Sequence, residues 1–212
     1  MLQAYKITPP ATPSHLVIML HGIGADGENL LPLASDFLDI LPNAVFLAPN
    51  APEKYIVEGF MMGEVGYQWF PLWGKSLPEL IEGASKANEK LSAFIKENLQ
   101  KYNLDYSKLI LIGFSQGCLM AVHAGLHLPE KCLGVVGFSG AIISTDGFNS
   151  TPDICLIHGK DDDVVPFQQT IHAEKKLKAV NASVQTKLLE NLGHWIDERG
   201  INFAKEFLKE RI

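Results

Sequence analysis

Six short apolar runs alternate with longer stretches of helical periodicity along this 212-residue chain. The first five runs are almost continuously apolar, which is typical of parallel strands that are covered on both faces. The sixth run alternates apolar and polar residues, as a strand near the edge of a sheet does. The six predicted strands are Leu16–Leu20, Ala44–Ala48, Leu109–Ile112, Leu133–Phe138, Ile154–His158 and Val184–Leu189.

Apolar residues at helical spacing predict five helices, and the second is preceded by a capping-box pattern at Ser76. Such alternation of strands and helices predicts an α/β fold, with a mostly parallel central sheet and helices on both faces. We expect one domain over residues 1–212, with functional loops at the carboxyl ends of the strands. The predicted helices are Asn29–Leu41, Leu77–Tyr102, Ser115–Leu128, Phe167–Val180 and Trp195–Leu208.

Composition narrows the function classes. Hydrophobic residues make up 47% and charged residues 20% of the chain, which argues against disorder. The net charge of −6 and the lack of a basic run argue against nucleic acid as a partner. No apolar run approaches the roughly 18 residues of a membrane span. Three cysteines without CxxC spacing (Cys118, Cys132 and Cys155) predict buried free thiols and a cytoplasmic protein.

The strongest chemical signal follows the third predicted strand, where residues 113–117 read G-F-S-Q-G. A G-x-S-x-G motif between a strand and a helix predicts a nucleophile elbow, which places Ser115 at a helix N-terminus. The alternative interpretation is a helix-capping serine. A second segment, G-F-S-G-A, follows the next strand, but turn residues come after it instead of a helix. We therefore interpret Ser139 as a structural residue at a strand end.

A serine nucleophile needs a histidine base and an orienting carboxylate, in the chain order serine, acid, histidine. His194 follows the last predicted strand and is the candidate base. The acid is one of three adjacent aspartates, residues 161–163, among which spacing alone does not choose. The other histidines have structural interpretations. His21 and His158 end strands and are expected to anchor loops, and the i,i+4 histidines 123 and 127 lack a third metal ligand, so no metal site is predicted.

The loop after the first predicted strand reads H-G-I-G-A-D-G. It lies where this kind of fold draws its second oxyanion donor, so the expected donors are the backbone N–H groups of Ile23 and Gln116. The same glycines also fit G-x-G-x-x-G, but the acidic residue expected about 20 positions later in a dinucleotide site is absent.

The connection Glu53–Lys75 is long and rich in aromatic residues and glycine. It predicts a flap over an apolar pocket, with core packing or a dimer contact as the alternatives. The candidate substrate-binding residues are Trp69, Phe70 and Trp73 from this loop, together with Trp195.

Four motifs together closely resemble the bacterial phospholipase/carboxylesterase family of α/β hydrolases, which is related to the acyl-protein thioesterases. They are H-G-x-G-A-D-G, G-F-S-Q-G, H-G-x-x-D-x-V-V-P and G-H-x-I, here at 21–27, 113–117, 158–166 and 193–196. The resemblance covers essentially the whole chain. It implies a cofactor-free serine esterase with Ser115 as nucleophile, His194 as base and Asp162 as orienting acid. Tyr67 stands where the bacterial branch often has an arginine, which leaves any substrate role of that arginine open.

These observations predict hydrolysis of short to medium acyl esters or thioesters, either small molecules or acylated lipids and proteins. The alternatives are an acyl-binding protein without catalysis and an acyltransferase that uses the same triad. A homodimer is compatible with this prediction. Since 212 residues leave no long insertion between the fourth and fifth predicted strands, we expect no separate lid domain and a shallow, open site.

Overall fold

The computed structural model describes residues 2–56, 65–144 and 146–212, and its central feature is a seven-stranded sheet. The strands of this sheet lie in the order β1-β3-β2-β6-β7-β8-β9, and all are parallel except β1 at one edge. Their bounds are Ala4–Ile7 (β1), His15–Leu20 (β2), Ala44–Pro49 (β3), Leu109–Phe114 (β6), Gly134–Phe138 (β7), Ile154–Gly159 (β8) and Val184–Leu189 (β9).

All six predicted strands are present, and the alternating one, β9, lies at a sheet edge as expected. β2, β3, β7 and β8 are buried along their whole length, which agrees with strands covered on both faces. β1 and a separate antiparallel hairpin of β4 (Glu53–Ile56) and β5 (Val65–Gln68) were not predicted. These three strands have only four residues each, too few for a periodic pattern to stand out.

Four helices follow the prediction closely: α2 (Leu77–Tyr102), α3 (Gln116–His127), α4 (Gln168–Ala179) and α5 (Glu198–Lys209). The capping box at Ser76 is formed, since the side chain of Glu79 accepts a hydrogen bond from the Ser76 N–H at 2.8 Å. α5 begins three residues later than predicted because Asp197 caps it by accepting a hydrogen bond from the Gly200 N–H.

The prediction of one continuous helix over Asn29–Leu41 was wrong. The segment forms the short α1 (Gly27–Leu30), which is followed by a 3-10 helix over Leu31–Phe37. Pro32 explains the break, because a proline lacks the N–H that would continue the α-helical ladder, and its ring clashes with the carbonyl four residues before it.

Helices cover both faces of the sheet, as predicted. α2 and α3 pack on one face in a core that includes Leu91, Ile95 and Leu111. The 3-10 helix and α5 pack on the other face around Phe37, Phe46 and Phe207. Between β7 and β8 the described residues form neither helix nor strand, which agrees with the absence of a separate lid domain.

Other expectations concern residues away from the sheet. All three cysteines are free and buried. Among the described residues, no helix has the length and apolar character that crossing a bilayer requires. The expected flap over Glu53–Lys75 includes Gly59, Phe60, Met61, Met62 and Gly63, which lie outside the described residues.

Candidate active site

Ser115 lies in a sharp turn between β6 and α3. Its backbone angles of φ 55° and ψ −118° are in a strained region for a residue with a side chain, and this conformation makes Ser115 the N-cap of α3. The turn requires glycine on both sides. A Cβ at Gly113 would lie 2.1 Å from the Gly117 carbonyl oxygen, and one at Gly117 would lie 1.8 Å from the Leu20 carbonyl oxygen. The two glycines of the motif thus let the strand and the helix approach closely.

His194 and Asp162 reach Ser115 from the loops after β9 and β8. The Nε2 atom of His194 lies 3.0 Å from the Ser115 hydroxyl oxygen, and its Nδ1 atom lies 2.7 Å from Oδ2 of Asp162. Since an ionised carboxylate only accepts hydrogen bonds, Nδ1 carries the proton and Nε2 is free to accept one from the serine. The three residues therefore form one hydrogen-bonded chain.

Asp162 differs from its two neighbours in the loop in both burial and contacts. It is 8% exposed, whereas Asp161 and Asp163 are exposed. The backbone N–H groups of Val164 and Val165 donate to its Oδ1 atom at 2.9 and 2.8 Å. Burial favours the neutral acid, but the Val165 N–H, His194 and the Val164 N–H outweigh that effect and hold the pKa of Asp162 below its ordinary value. Asp162 is therefore ionised at neutral pH.

His158 is a second histidine on the same carboxylate. Its Nε2 atom lies 3.0 Å from Oδ2 of Asp162 and 2.8 Å from the Val165 carbonyl oxygen. Two acceptors around one nitrogen place the proton on Nε2, and the Thr170 hydroxyl at 2.6 Å then donates to Nδ1. Burial lowers the pKa of His158, so this ring is neutral. The sequence identified His158 only as a loop anchor and gave no signal for its contact with Asp162.

The backbone N–H groups of Ile23 and Gln116 lie in the loop after β2 and at the start of α3. Neither N–H donates a hydrogen bond to an acceptor among the described residues. Gly22 brings the two segments together, since a Cβ at this position would lie 3.2 Å from the Cβ of Ser115. Both N–H groups are thus available at the position expected for an oxyanion site.

Buried hydrogen bonds between distant segments hold the loop after β2. His21 donates from Nδ1 to the Gly22 carbonyl at 2.7 Å, and its Nε2 accepts from the Ala51 N–H at 3.0 Å. The Trp69 indole donates to the His21 carbonyl at 3.0 Å. The side chain of Gln116 accepts from the Trp69 N–H and donates to the Phe70 carbonyl, at 3.0 and 2.7 Å. Sequence analysis did not predict this brace of Gln116, Trp69 and His21.

The four candidate substrate-binding residues separate into two pairs. Trp69 and Phe70 are each 1% exposed and pack in the core, so they support the loops of the site from the protein interior. Trp73 and Trp195 are 70% and 71% exposed. Trp195 directly follows His194, the candidate base, and lines a cavity beside it, which makes it the best placed of the four to contact a substrate.

The geometry agrees with what comparison with known proteins reveals. Residues 3–212 match the model of a family described as phospholipase/carboxylesterase. The chain belongs to this family. The acyl-protein thioesterase 1 of Emericella nidulans is 30% identical over 220 residues, which is 94% of this chain and 92% of that protein. The esterase YpfH of Escherichia coli is 24% identical over 97% of this chain and 86% of its own length.

Solved structures support the same assignment. The crystal structure of esterase PE8 is 33% identical and has a TM-score of 0.90, covering 100% of this chain and 99% of that one. The carboxylesterase of Bacillus cereus, at 19% identity and a TM-score of 0.81 over 100% of this chain and 95% of that one, shows the shared α/β-hydrolase fold. As a member of the phospholipase/carboxylesterase family, the protein is a carboxylic ester hydrolase. This excludes the non-catalytic acyl-binding protein considered from the sequence.

Proposed function

We propose that the protein hydrolyses short and medium acyl esters and thioesters through an acyl-enzyme intermediate on Ser115. One observation carries this proposal: the Ser115 hydroxyl lies 3.0 Å from Nε2 of His194, whose Nδ1 lies 2.7 Å from the ionised Asp162. A neutral imidazole at hydrogen-bond distance from a serine is the arrangement that activates the hydroxyl for attack on a carbonyl.

Acylation begins when His194 Nε2 takes the proton of Ser115 and Oγ bonds to the acyl carbon. The carbonyl oxygen becomes an oxyanion, which the N–H groups of Ile23 and Gln116 stabilise. His194 then gives its proton to the leaving alcohol or thiol, and the bond from the acyl carbon to the leaving oxygen or sulfur breaks. Asp162 stabilises the protonated imidazole when it forms, and it keeps the proton on Nδ1 when the ring is neutral.

Deacylation repeats these steps with water as the nucleophile. His194 takes a proton from the water, whose oxygen bonds to the acyl carbon, and then returns the proton to Oγ of Ser115 as the carboxylic acid leaves. In both steps the proton is carried by His194, and the only other reactants are the substrate and water. An alcohol could replace water and give acyl transfer, and product analysis in water distinguishes the two outcomes.

The relatives named acyl-protein thioesterase and esterase support acyl esters and thioesters as the substrate class. The proposal covers acyl groups that are carried by a small molecule, by a lipid or by a protein. The indole of Trp195, which is 71% exposed beside His194, suits an open site and favours breadth over selection of one long acyl chain. A panel of p-nitrophenyl esters from acetate to palmitate tests that breadth, and a single sharp optimum at a long chain would contradict it.

The proposed mechanism is tested by turnover of p-nitrophenyl butyrate. Rapid mixing should release a burst of p-nitrophenol close to the enzyme concentration when deacylation is slower than acylation. His194→Gln should lower kcat by about a millionfold, in line with the loss of a base that acts in concert with its nucleophile. His172→Gln is the matched control, since His172 is an exposed histidine on α4. Equal activity of the two variants would refute the mechanism.

A further inference from the structure

A cavity of about 440 Å³ opens beside His194, on the face of the sheet that is covered by the 3-10 helix and α5. Its walls are mainly apolar. They include Leu33 from the 3-10 helix, Ile201 from α5, and Trp195. Asp36 is the one acidic residue among the lining residues. The catalytic steps described above use none of these four side chains.

Residues that line the cavity are in direct contact with Ser115 and His194. Gly22 lines it, and this residue lies against Ser115 and directly precedes the proposed oxyanion donor Ile23. Phe114 also lines it, and the centroid of its ring is 4.9 Å from that of His194. Trp195 follows His194 in the chain, so lining residues flank the histidine on two sides.

Position relative to His194 decides which part of a substrate the cavity holds. The histidine protonates the leaving oxygen or sulfur, so that atom must lie within hydrogen-bond distance of Nε2. A group attached to the leaving atom then continues along the residues next to His194. We propose that this cavity is the leaving-group subsite, which holds the alcohol or thiol part of the substrate. This inference rests on the proposed function and adds a substrate preference to it.

The lining residues define the chemistry of that leaving group. Leu33, Ile201 and the Trp195 ring favour an alkyl or aryl group over a polar one. Asp36 is exposed, and its carboxylate takes part in none of the ion pairs among the residues that the structure describes. It would repel a phosphate-bearing leaving group such as coenzyme A, and attract a cation. An exposed indole and a carboxylate that line the same cavity also suit a quaternary ammonium group. The preferred substrates are therefore esters of apolar alcohols, either uncharged or with a cationic end.

The first experiment separates the leaving-group half of the substrate from the acyl half. One series keeps the butyryl group and lengthens the alcohol from methyl to octyl, and the other keeps methanol and lengthens the acyl group. In the wild type, kcat/KM should rise by up to about fourfold for each methylene added to the alcohol, until the cavity is filled. kcat/KM is the informative constant, because every butyrate ester forms the same acyl-enzyme.

The variant for this experiment is Leu33→Ala, with Leu38→Ala as its matched control. Leu38 follows the same 3-10 helix, is 39% exposed and does not line the cavity. Leu33→Ala should flatten the alcohol series and leave the slope of the acyl series as in the wild type. A flattened acyl series with an unchanged alcohol series would overturn the inference while leaving the proposed function intact. Absence of hydrolysis of every ester by the wild type would refute both.

The second experiment tests charge with two nearly isosteric substrates, butyrylcholine and 3,3-dimethylbutyl butyrate. Asp36→Asn should lower the ratio of their kcat/KM values, cationic over neutral, by about fivefold at low salt. Glu28→Gln removes an equal charge from α1, outside the cavity lining, and should leave that ratio within twofold of the wild type. Trp195→Leu should also lower the ratio, by two- to fivefold. An unchanged ratio in both Asp36→Asn and Trp195→Leu would overturn the assignment of a cation preference.

Discussion

Two serines follow neighbouring strands of the sheet in nearly the same local sequence, G-F-S-Q-G around Ser115 and G-F-S-G-A around Ser139. The segments are in register, with Gly113 paired to Gly137. Both serines have positive φ, 55° and 49°. Each donates its backbone N–H to the next strand, Ser115 to Phe138 and Ser139 to Ile157, at 2.9 and 2.8 Å. Both chains thus leave the carboxyl ends of their strands through a serine with positive φ whose N–H bonds to the neighbouring strand.

What differs is the environment after the turn. Ser115 begins α3 and contacts His194, whereas Ser139 is 1% exposed and the described residues after it, 140–144 and 146–153, form no helix. A helix N-terminus supplies free N–H groups and a positive dipole end for a developing oxyanion, and an irregular turn supplies neither in that form. Under the proposed function, the strained serine turn alone does not make a nucleophile, and the helix and the histidine beside Ser115 account for the difference.

The largest expected effect comes from exchanging the two serines for alanine one at a time. Ser115→Ala should lower kcat for p-nitrophenyl butyrate by about a millionfold, because the nucleophile is lost. Ser139→Ala should keep kcat within tenfold of the wild type. Comparable losses in two variants that both fold, as judged by circular dichroism, would remove the distinction between the two turns.

The carboxylate that orients His194 gives the next largest effect. Asp162→Asn should lower kcat by about 10⁴-fold, because an amide at this position can favour the wrong histidine tautomer. Asp161→Asn and Asp163→Asn are matched controls on exposed neighbours and should stay within threefold of the wild type. Small and equal losses in all three variants would place the acid elsewhere.

The close approach of α3 to β2 is the third feature to perturb. Gly117→Ala would bring a Cβ to within 1.8 Å of the Leu20 carbonyl, so the helix start must shift and move the Gln116 N–H. We expect a loss of at least 100-fold in kcat, similar to removal of an oxyanion donor. Gly147→Ala lies in the connection after Ser139, where a Cβ would meet no atom within 4 Å among the described residues other than its chain neighbours. It should cost only the strain of its positive φ, about 1 kcal/mol of stability. A Gly117→Ala enzyme with normal kcat would contradict the proposed role of the helix start.

A smaller effect should come from Thr170, which connects the region of Ser139 to the acid. Its hydroxyl lies 2.6 Å from His158 Nδ1 and 3.3 Å from the Gly140 carbonyl. Thr170→Val removes the donor to His158 and should lower kcat by up to tenfold without changing KM. Thr170→Ser keeps the hydroxyl and should restore kcat. If Thr170→Ser does not restore kcat, Thr170 acts through packing and does not position His158.

The acid site should also leave a signature in stability. Because the pKa of Asp162 is lowered in the folded state, its ionisation stabilises the fold above about pH 4, the ordinary aspartate value. That contribution is lost as the pH falls from there through the lowered pKa. The unfolding free energy of the wild type relative to Asp162→Asn, measured in urea at pH 7, 4 and 3, should therefore decrease on acidification. An increase of this difference on acidification would contradict a lowered pKa of Asp162.

Local patterns allowed much of this molecule to be predicted from its sequence. The six core strands follow from apolar runs, and the elbow at Ser115 follows from a five-residue motif whose glycines are needed within that turn. The break at Pro32 was foreseeable from the proline but was missed, because the apolar spacing continues through it. Spacing alone did not select Asp162 among three aspartates, since burial and the Val164 and Val165 N–H groups make the difference.

The brace of Gln116, Trp69 and His21 behind the loop after β2 illustrates what sequence patterns do not contain. His21 contacts Ala51 and Trp69, and Trp69 contacts Gln116, across separations of 30 to 48 residues. These pairs meet only because the fold brings together the segments that follow β2, β3, β5 and β6. Trp69 therefore looked like a pocket residue in the sequence, although its indole supports the loop from the core.

Labelling with a fluorophosphonate tests the central claim most directly, because the reagent reacts covalently with an activated serine in the folded protein. Peptide mass spectrometry should locate a single adduct on Ser115. The adduct should be absent in Ser115→Ala and retained in Ser139→Ala. An adduct on Ser139, or full labelling of Ser115→Ala, would contradict the account.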